Sequence, residues 1–265
     1  MREPSPWLVV AVLLVAAGIG AVVLWRSPKA DLSPPAPPPV AAELKPLPDA
    51  LLPPVQTSDA KAQGLFGAVS ARPDVQGWLK SGDLLNRFAV VIDNLAEGVT
   101  PRKQLAFLAP KQGFVAQAKG GKLVISQESY QRYDQVGDAV GSVDAQAFAK
   151  AVRELHPLLE ATYHQLGYPG RKLDEVLAKA AQSVLDAPVV EGEVAVEKAG
   201  SLYFYADSKL EKLDPVEKHL LRMGPRNERL IQAKVREIAA ALALPLGNSA
   251  GQAAKQALDP SNAIH

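Results

Sequence analysis

Three polar side chains interrupt an otherwise apolar stretch of the chain, and they are the first candidates for chemistry. Arg87, Asp93 and Asn94 lie among Leu, Phe, Val and Ile residues whose spacing predicts a helix from Asp83 to Glu97. Such an apolar helix is typical of a central, buried position, where polar groups need partners. The pattern therefore indicates an internal hydrogen-bond and charge network that ties this helix to the next. A polar binding pocket is the alternative interpretation.

A second polar cluster surrounds a Gly-Pro pair between two predicted helices. Gly224 can adopt the left-handed conformation that closes one helix, and Pro225 suits the first turn of the next. Four polar residues flank this corner, namely Arg222, Arg226, Asn227 and Arg229. Backbone N–H groups and arginines at a helix start can bind a carboxylate or phosphate. The alternative is a tight helix–helix corner with solvated arginines.

The sequence contains no motif of a known catalytic or cofactor site. G-x-S-x-G, H-E-x-x-H and G-x-G-x-x-G do not occur, and there is no cysteine. His156, Glu160 and His164 follow one another at helical spacing, but a proline interrupts the regular geometry that a metal site there would need. We therefore expect no metal and no cofactor, and we assign no catalytic residue. Asp93 and Asp134 are the general-acid candidates of an alternative in which the protein is an envelope hydrolase.

Charge is distributed unevenly, although the formal net charge is only +1. Residues 101–132 carry six basic residues and one acidic residue, and residues 208–236 carry eight and four. Residues 134–198 carry eleven acidic and six basic residues. If the two basic segments fold onto one face, that face would attract an anionic ligand or an acidic partner. If they pair with the acidic middle, the asymmetry is internal neutralisation. The near-zero net charge argues against nucleic acid as a partner.

The elements that must position these residues begin with an apolar N-terminal run. Residues 7–25 contain no charged side chain and have a tryptophan at each end. A helix of this length, at ~1.5 Å per residue, nearly matches the ~30 Å hydrocarbon core of a bilayer, and tryptophan favours the two interfaces. The run predicts an uncleaved membrane-spanning helix, with a signal peptide as the competing interpretation. Small residues four apart in this run leave homodimer formation open.

The remaining organisation follows from composition. We expect residues 1–6, a short tail, in the cytosol. The part of the chain that follows the span would then lie in the bacterial periplasm. The opposite topology would make the protein a cytosol-facing membrane adaptor. Residues 26–57 are rich in proline and predict an extended stalk. Residues 58–244 have a globular composition, whereas 245–265 lack periodicity and predict a disordered tail.

The globular part predicts a mainly helical α+β domain with a small β-hairpin or sheet. The hairpin surrounds Gly120 and Gly121, and short extended pieces follow at 194–196 and 202–205. Further helices are predicted to start at Thr100-Pro101 and to cover Gln127–Ala139, Asp144–Leu166 with a kink or restart at Pro157, Lys172–Asp186, Pro215–Arg222 and Pro225–Leu242.

Several short segments together resemble one protein family. They are Asp83-Leu84-x-x-Arg87-Phe88-x-Val90-Val91-x-Asp93-Asn94-Leu95, Pro101-Arg102-Lys103, Tyr130-x-x-Tyr133-Asp134, Leu166-Gly167-Tyr168-Pro169, Tyr203-x-Tyr205-Ala206-Asp207 and Leu220-Leu221-Arg222-Met223-Gly224-Pro225-x-Asn227. Over about residues 59–240 the chain resembles the bacterial domain-of-unknown-function family 3014. The resemblance implies the same plan of one span, a proline-rich linker and this domain, and it implies no activity. It concentrates interest on Arg87, Asp93, Asn94, Arg102 and Arg222.

Taken together, these patterns predict a single-pass inner-membrane protein. We expect its periplasmic domain to act by binding, as a scaffold or accessory factor in envelope biogenesis. The membrane and a protein or anionic envelope component are the expected partners.

Overall fold

Ten helices and one sheet make up the described residues, 55–80, 82–105 and 109–247, of this computed structural model. The helices are α1 Val55–Gly67, α2 Pro73–Leu79, α3 Leu84–Ala96, α4 Gln127–Gln131, α5 Asp134–Gly141, α6 Ala145–Gln165, α7 Leu173–Asp186, α8 Ser208–Glu211, α9 Pro215–Met223 and α10 Pro225–Leu242. The strands are β1 Ala116–Lys119, β2 Lys122–Ile125, β3 Ala195–Ala199 and β4 Leu202–Tyr205. The expectation of a mainly helical α+β domain with a small sheet is confirmed.

Helix α3 lies at the centre of the helical body, as its apolar spacing predicts. It packs against α1, α6 and α7, and α10 closes the body against α5, α6, α7 and α9. Phe88 of α3 lies near Phe66 and Phe148, with ring centroids 6.3 Å and 6.4 Å away. These three buried rings anchor the main core, since aromatic side chains bury the most apolar area per residue.

The start of α3 is stabilised from another helix. Asp83 precedes α3 as expected, but its φ is 56° and its side chain makes no capping hydrogen bond. Instead, the Asp59 carboxylate of α1 accepts hydrogen bonds from the backbone N–H groups of Asp83 and Leu84, the latter at 2.9 Å. A carboxylate at this end also interacts favourably with the helix dipole.

Two helix predictions need correction. Thr100 and Pro101 start only a turn, closed by the Leu105 N–H on the Pro101 carbonyl oxygen at 3.1 Å, and not a regular helix. The pattern from 127 to 139 divides into α4 and α5 at Arg132 and Tyr133.

Helix α6, by contrast, does not restart at Pro157 and runs from Ala145 to Gln165 as one element. Proline removes a single N–H donor. The buried stripe of Phe148, Val152, Leu155, Leu159 and Tyr163 extends on both sides of that position, and its packing offsets the lost bond.

The sheet is antiparallel throughout, in the order β1-β2-β3-β4. Gly120 and Gly121, with φ of 56° and 77°, form the tight turn of the predicted first hairpin. In the register, Leu123 lies opposite Val196, which lies opposite Tyr205. This row packs in a second, smaller apolar cluster with Leu221, Ile125 and Val194. Leu221 of α9 is thus one contact between the sheet and the helical body.

No helix within residues 55–80, 82–105 and 109–247 is both long enough and apolar enough to cross a membrane. The span expected at residues 7–25, the tail before it and most of the proline-rich linker lie outside the described residues. Helix α1 begins at Val55, shortly before the expected start of the globular part.

Candidate functional site

A cavity of about 360 Å³ lies where the sheet meets the helical body. The described residues that line it are Arg102, Pro110, Gly113, Phe114, Arg132, Tyr133, Ser201, Leu202, Tyr203 and Arg222. We call it the arginine pocket, because three of these residues are arginines and none of those described is acidic. Its volume lies in the range of small-molecule sites, roughly 300–1,000 Å³.

Arg132 is the most firmly held of the three arginines. Its Nε donates to the Ser129 carbonyl oxygen at 2.9 Å, and its Nη1 donates to the Gln112 carbonyl oxygen at 3.1 Å. The guanidinium carbon lies 5.0 Å from the ring centroid of Tyr133 and 5.6 Å from that of Phe114. Because both bonds and ring contacts restrain it, this cation is positioned before any ligand arrives.

The segment that carries Phe114 is fixed by one buried hydroxyl group. Ser129 of α4 is fully buried, and its Oγ donates to the Val115 carbonyl oxygen at 2.7 Å. The same Oγ accepts a hydrogen bond from the Val115 N–H at 2.7 Å. The Phe114 ring then packs against Tyr203 of β4, with centroids 4.8 Å apart. These two rings form an aromatic wall of the pocket.

The other two arginines come from distant parts of the chain. Arg222 lies in the last turn of α9, with its guanidinium carbon 5.6 Å from the Tyr205 ring centroid and its Nη2 donating to the Tyr203 carbonyl oxygen at 3.4 Å. Arg102 is exposed and lies in the turn that Thr100 and Pro101 start. That turn is attached to the start of α9 by the Thr100 hydroxyl, which donates to the Pro215 carbonyl oxygen at 3.1 Å.

The pKa of a buried histidine behind the pocket is affected by the positive charge of the three arginines. Burial, followed by the charges of Arg222, Arg102 and Arg132, lowers the pKa of His219 to about 3. Its ring meets the Tyr133 ring edge-on, at 5.6 Å. The imidazole is therefore neutral near pH 7 and adds no charge of its own.

The arginines also act on one another. Burial and the neighbouring Arg222 lower the pKa of Arg132, although Tyr133 opposes this effect. Both effects disfavour the charged form of the side chain. Since the described lining supplies no carboxylate, an anionic ligand is the group that would compensate this charge.

The Gly224 corner forms as expected, but its arginines diverge. Arg226 pairs with Asp138 at 2.5 Å and lies 3.5 Å from Asp134, and Arg229 pairs with Glu191. Only Arg222 of this group reaches the arginine pocket.

The corner itself is covered by an aromatic ring. Gly224 has φ 81° and ψ 160°, an extended conformation with positive φ and not the left-handed helical one expected. The ring of Tyr130 packs directly on it. The structure thus leaves the corner without the cluster of arginines that an anion site there would need.

Asn227 is a buried structural residue next to that corner. Its Nδ2 donates to Asp134 Oδ1 at 3.0 Å and to the Met223 carbonyl oxygen at 2.9 Å, and its Oδ1 accepts from Arg226 Nη1 at 2.9 Å. It is 1 % exposed. These bonds connect α5 with the α9–α10 junction and leave Asn227 outside the arginine pocket.

The polar residues of α3 belong to the helical body. Asp93 accepts a hydrogen bond from the Tyr163 hydroxyl at 2.9 Å, and Asn94 Nδ2 donates to the Val90 carbonyl oxygen at 2.6 Å. Burial, followed by this bond to Asp93, raises the pKa of Tyr163 to about 12. Arg87 is half-buried and also has an interaction partner. This geometry agrees with an internal network tying α3 to α6, and none of the three residues lines the pocket.

The two carboxylates of the hydrolase alternative have different partners. Asp93 of α3 is bonded to Tyr163 of α6, whereas Asp134 of α5 is bonded to Asn227 of α10. Neither is among the described residues that line the arginine pocket. Across the described ranges, no cluster of three or more His, Cys, Asp or Glu is placed to bind a metal ion.

The charge pattern has both of the outcomes that the sequence allows. Arg102 and Arg132 of the first basic segment meet Arg222 of the second in one pocket. Other cations pair with the acidic middle, as Lys119 does with Glu193. Sequence reasoning missed Arg132 and the aromatic wall. The one available signal was the position of Arg132 in the first basic segment, which does not distinguish it from the five other basic residues there.

Fold and pocket define a mainly helical α+β domain that carries a cationic, aromatic-walled cavity. The family model described as "Protein of unknown function (DUF3014)" matches residues 84–239, and the chain belongs to this family. The resemblance of the sequence segments is thereby confirmed. The matched range includes all three arginines of the pocket. Comparison with curated proteins and with solved structures gives no match.

Proposed function

We propose that this protein is a membrane-tethered binding protein whose arginine pocket receives an anionic group of a ligand or partner. The observation that carries the proposal is the meeting of Arg102, Arg132 and Arg222 in one cavity with no acidic side chain among its described lining. These residues come from three separate segments, so the fold and not local sequence assembles the charge.

The electrostatics support a receptor for anions. Like charges close together disfavour the folded state unless something compensates them. Arg226 and Arg229 each pair with a nearby acid, whereas Glu211, which interacts electrostatically with Arg222, is itself paired with Lys218 and is not among the described lining of the pocket. Two of the five N–H donors of Arg132 are used by backbone carbonyl oxygens, which leaves others for a ligand. Charge-assisted hydrogen bonds from arginine to an anion are among the strongest available to a protein.

The N-terminal segments support a proposed cellular location for this binding domain. The apolar run at 7–25 would anchor the chain in the inner membrane, with the domain on the periplasmic side. The proline-rich stretch from 28 to 54 would reach about 80 Å at ~3.1 Å per residue if fully extended. A binding domain on such a tether suits an accessory or scaffold role in envelope biogenesis, with a protein or an anionic envelope component as partner.

Calorimetric titration of the full chain with small aromatic anions tests the pocket. Phenyl phosphate, phenyl sulfate and benzoate share one ring and differ in the anionic group. We expect at least one to bind, and Arg222→Gln to weaken that binding at least ~10-fold, because one charge-assisted hydrogen bond contributes about 1.5–3 kcal/mol.

Arg229→Gln is the matched control for this titration. Arg229 is exposed, lies one helix further along and pairs with Glu191 away from the pocket. Its replacement should leave the affinity unchanged. Equal affinities of the wild type and Arg222→Gln, or loss of binding in the control alone, would refute the proposal.

The proposed location needs a separate experiment. A reporter that is active only outside the cytosol, fused to the carboxyl end of the chain, should be active in cells. Inactivity of this reporter, with activity of a cytosolic reporter at the same position, would favour the cytosol-facing adaptor. That result would not contradict the proposal that the arginine pocket binds an anion.

A further inference from the structure

The positive charge of the arginine pocket indicates which class of anionic ligand it would bind. Three guanidinium groups face the cavity, the neutral His219 lies behind it, and the described lining has no carboxylate. A carboxylate, sulfate ester or phosphodiester brings one negative charge. A phosphomonoester brings between 1.5 and 2 at about pH 7, because its second pKa is about 6, and it offers three acceptor oxygens. Three arginines therefore match a phosphomonoester better than any of the monoanions.

The size of the cavity and its walls indicate that the ligand is more than a bare ion. A volume of about 360 Å³ reaches the range of whole small-molecule ligands, roughly 300–1,000 Å³. Phe114 and Tyr203 offer ring surfaces beside the arginines, and Leu202 and Pro110 add apolar contact. Such surfaces pack against flat apolar groups, including aromatic rings and the apolar faces of sugars.

The three arginines also differ in how firmly they are held and how exposed they are. This difference suits a pocket that binds one end of a ligand. Arg132 is anchored by two backbone carbonyl oxygens and two rings, whereas Arg102 is exposed at the rim. Arg222, at the end of α9, is half-buried, as Arg132 is. A phosphoryl group bound by the anchored Arg132 would leave Arg102 to close on it from solvent.

We infer that the arginine pocket takes a phosphomonoester whose organic part presents a flat apolar face. The inference rests on the proposed function, because it specifies the ligand of that same pocket. The shared chemistry is found on soluble phosphorylated sugars and on lipids with a terminal phosphate, and the experiment distinguishes these sources.

The pH dependence of ligand binding to the full chain gives the sharpest test. Between pH 5.5 and 7.5 a phosphomonoester gains most of its second charge, whereas phenyl sulfate and benzoate stay monoanionic. The charged and titratable groups of the described lining are the three arginines with Tyr133 and Tyr203; His219 lies behind them, and Glu211, whose pKa is lowered despite burial, mainly by its bond to Lys218, interacts with Arg222. Burial raises the pKa of Tyr133 above its usual value, and the pKa of His219 is about 3, so neither changes charge in this window.

We expect phenyl phosphate to bind at pH 7.5 at least 10-fold more tightly than phenyl sulfate or benzoate, and several-fold more tightly than inorganic phosphate. Its affinity should fall several-fold at pH 5.5, while that of phenyl sulfate stays constant. Arg102→Gln, a rim variant that leaves the buried contacts intact, should reduce the difference in affinity between phenyl phosphate and phenyl sulfate. Because Arg102 is exposed, Arg102→Gln should fold, so the test stays decisive even if a substitution of the anchored Arg132 prevents folding.

Competition assays identify the source of the phosphoryl group. Displacement of phenyl phosphate by glucose 6-phosphate indicates a soluble ligand. Displacement by vesicles of phosphatidic acid, but not by vesicles of the phosphodiester lipid phosphatidylglycerol, indicates a lipid. Equal, Arg222-dependent binding of all three aromatic anions would overturn the phosphomonoester inference and keep the anion pocket. Absence of binding by all of them would overturn the proposed function as well.

Discussion

The ring of Tyr130 in α4 packs directly on the backbone of Gly224, between α9 and α10. A β-carbon at position 224 would lie 2.6 Å from Tyr130 Cγ, closer than real Cβ contacts allow. Position 224 also has φ 81°, which disfavours any side chain. This contact sets the distance between α4, which ends next to Arg132, and the end of α9, which carries Arg222. The geometry of the pocket thus depends on a glycine that is not part of its lining.

Replacing this glycine should destabilise the domain. Gly224→Ala combines a strained backbone, at ~1–3 kcal/mol, with overpacking against Tyr130, at about 1–3 kcal/mol. We expect a loss of a few kcal/mol in the free energy of unfolding, measured by denaturant titration, and weaker binding of phenyl phosphate. Gly141→Ala is the matched control, because its β-carbon would meet Leu230 Cδ2 at an ordinary 3.8 Å. A similar loss in both variants would contradict this account.

Glu228 should make stability depend on pH. It is 1 % exposed, and neither carboxylate oxygen has a hydrogen-bond partner within the described part of the chain. Burial, followed by the charge of Glu217, raises the pKa of Glu228 to about 8. Because the folded state holds the proton more tightly than the unfolded state, this contribution to stability is complete below pH 4.5 and is lost as pH rises to about 8.

The variant Glu228→Gln isolates this effect. Its free energy of unfolding should exceed that of the wild type by an amount that grows by up to ~1.4 kcal/mol per pH unit between pH 4.5 and 8. Below pH 4.5 the difference should be constant. Glu237→Gln, at an exposed position on the same helix, should show no such growth. Chemical denaturation at five pH values measures both, and a pH-independent difference for Glu228→Gln would exclude a buried, protonated carboxyl group.

The helices that could be predicted from the sequence are those whose apolar residues repeat at helical spacing. Helix α3 matches its predicted range within a residue at each end, and so do α7, α9 and α10, which have proline or glycine at their boundaries. The break between α4 and α5 has no such marker, since the residues there are Arg132 and Tyr133. Tyr133 turns its ring to the buried His219, a contact between distant segments, and local patterns do not encode it.

The pocket was hidden for the same reason. It requires β2 to pair with β3, which lies about seventy residues later, and this pairing brings Tyr203 towards Phe114. The two basic segments are visible in the sequence, but which of their cations meet and which pair with acids is decided by this long-range packing. Arg222 is visible in the sequence at a corner between two helices, but only the three-dimensional packing shows that it lines the pocket.

Asn227 and Gly137 should be energetically coupled. Asn227 Oδ1 occupies the space that a β-carbon at position 137 would need. Gly137→Ala should therefore destabilise the wild type by several kcal/mol, because the buried amide cannot move without breaking its bonds to Asp134 and Met223. In the Asn227→Ala background the same substitution should cost little or even stabilise helix α5. A double-mutant cycle measured by denaturation should give a coupling energy above ~1 kcal/mol, and additive losses would disprove the contact.

The hydrogen bond between Asp93 and Tyr163 should contribute to stability but not to ligand binding in the arginine pocket. Tyr163→Phe removes the hydroxyl that donates to Asp93, and Asp93→Asn keeps an acceptor in the same place. Tyr163→Phe should cost about 0.5–1.5 kcal/mol of stability, the usual contribution of one hydrogen bond, and Asp93→Asn should cost less, because its amide oxygen still accepts the bond. Neither should change the affinity for phenyl phosphate, because neither residue lines the arginine pocket. If Asp93→Asn instead remained as stable as the wild type and abolished an activity of the full chain, Asp93 would be a catalytic acid. That result would revive the hydrolase alternative and assign the α3 network a chemical role beyond packing.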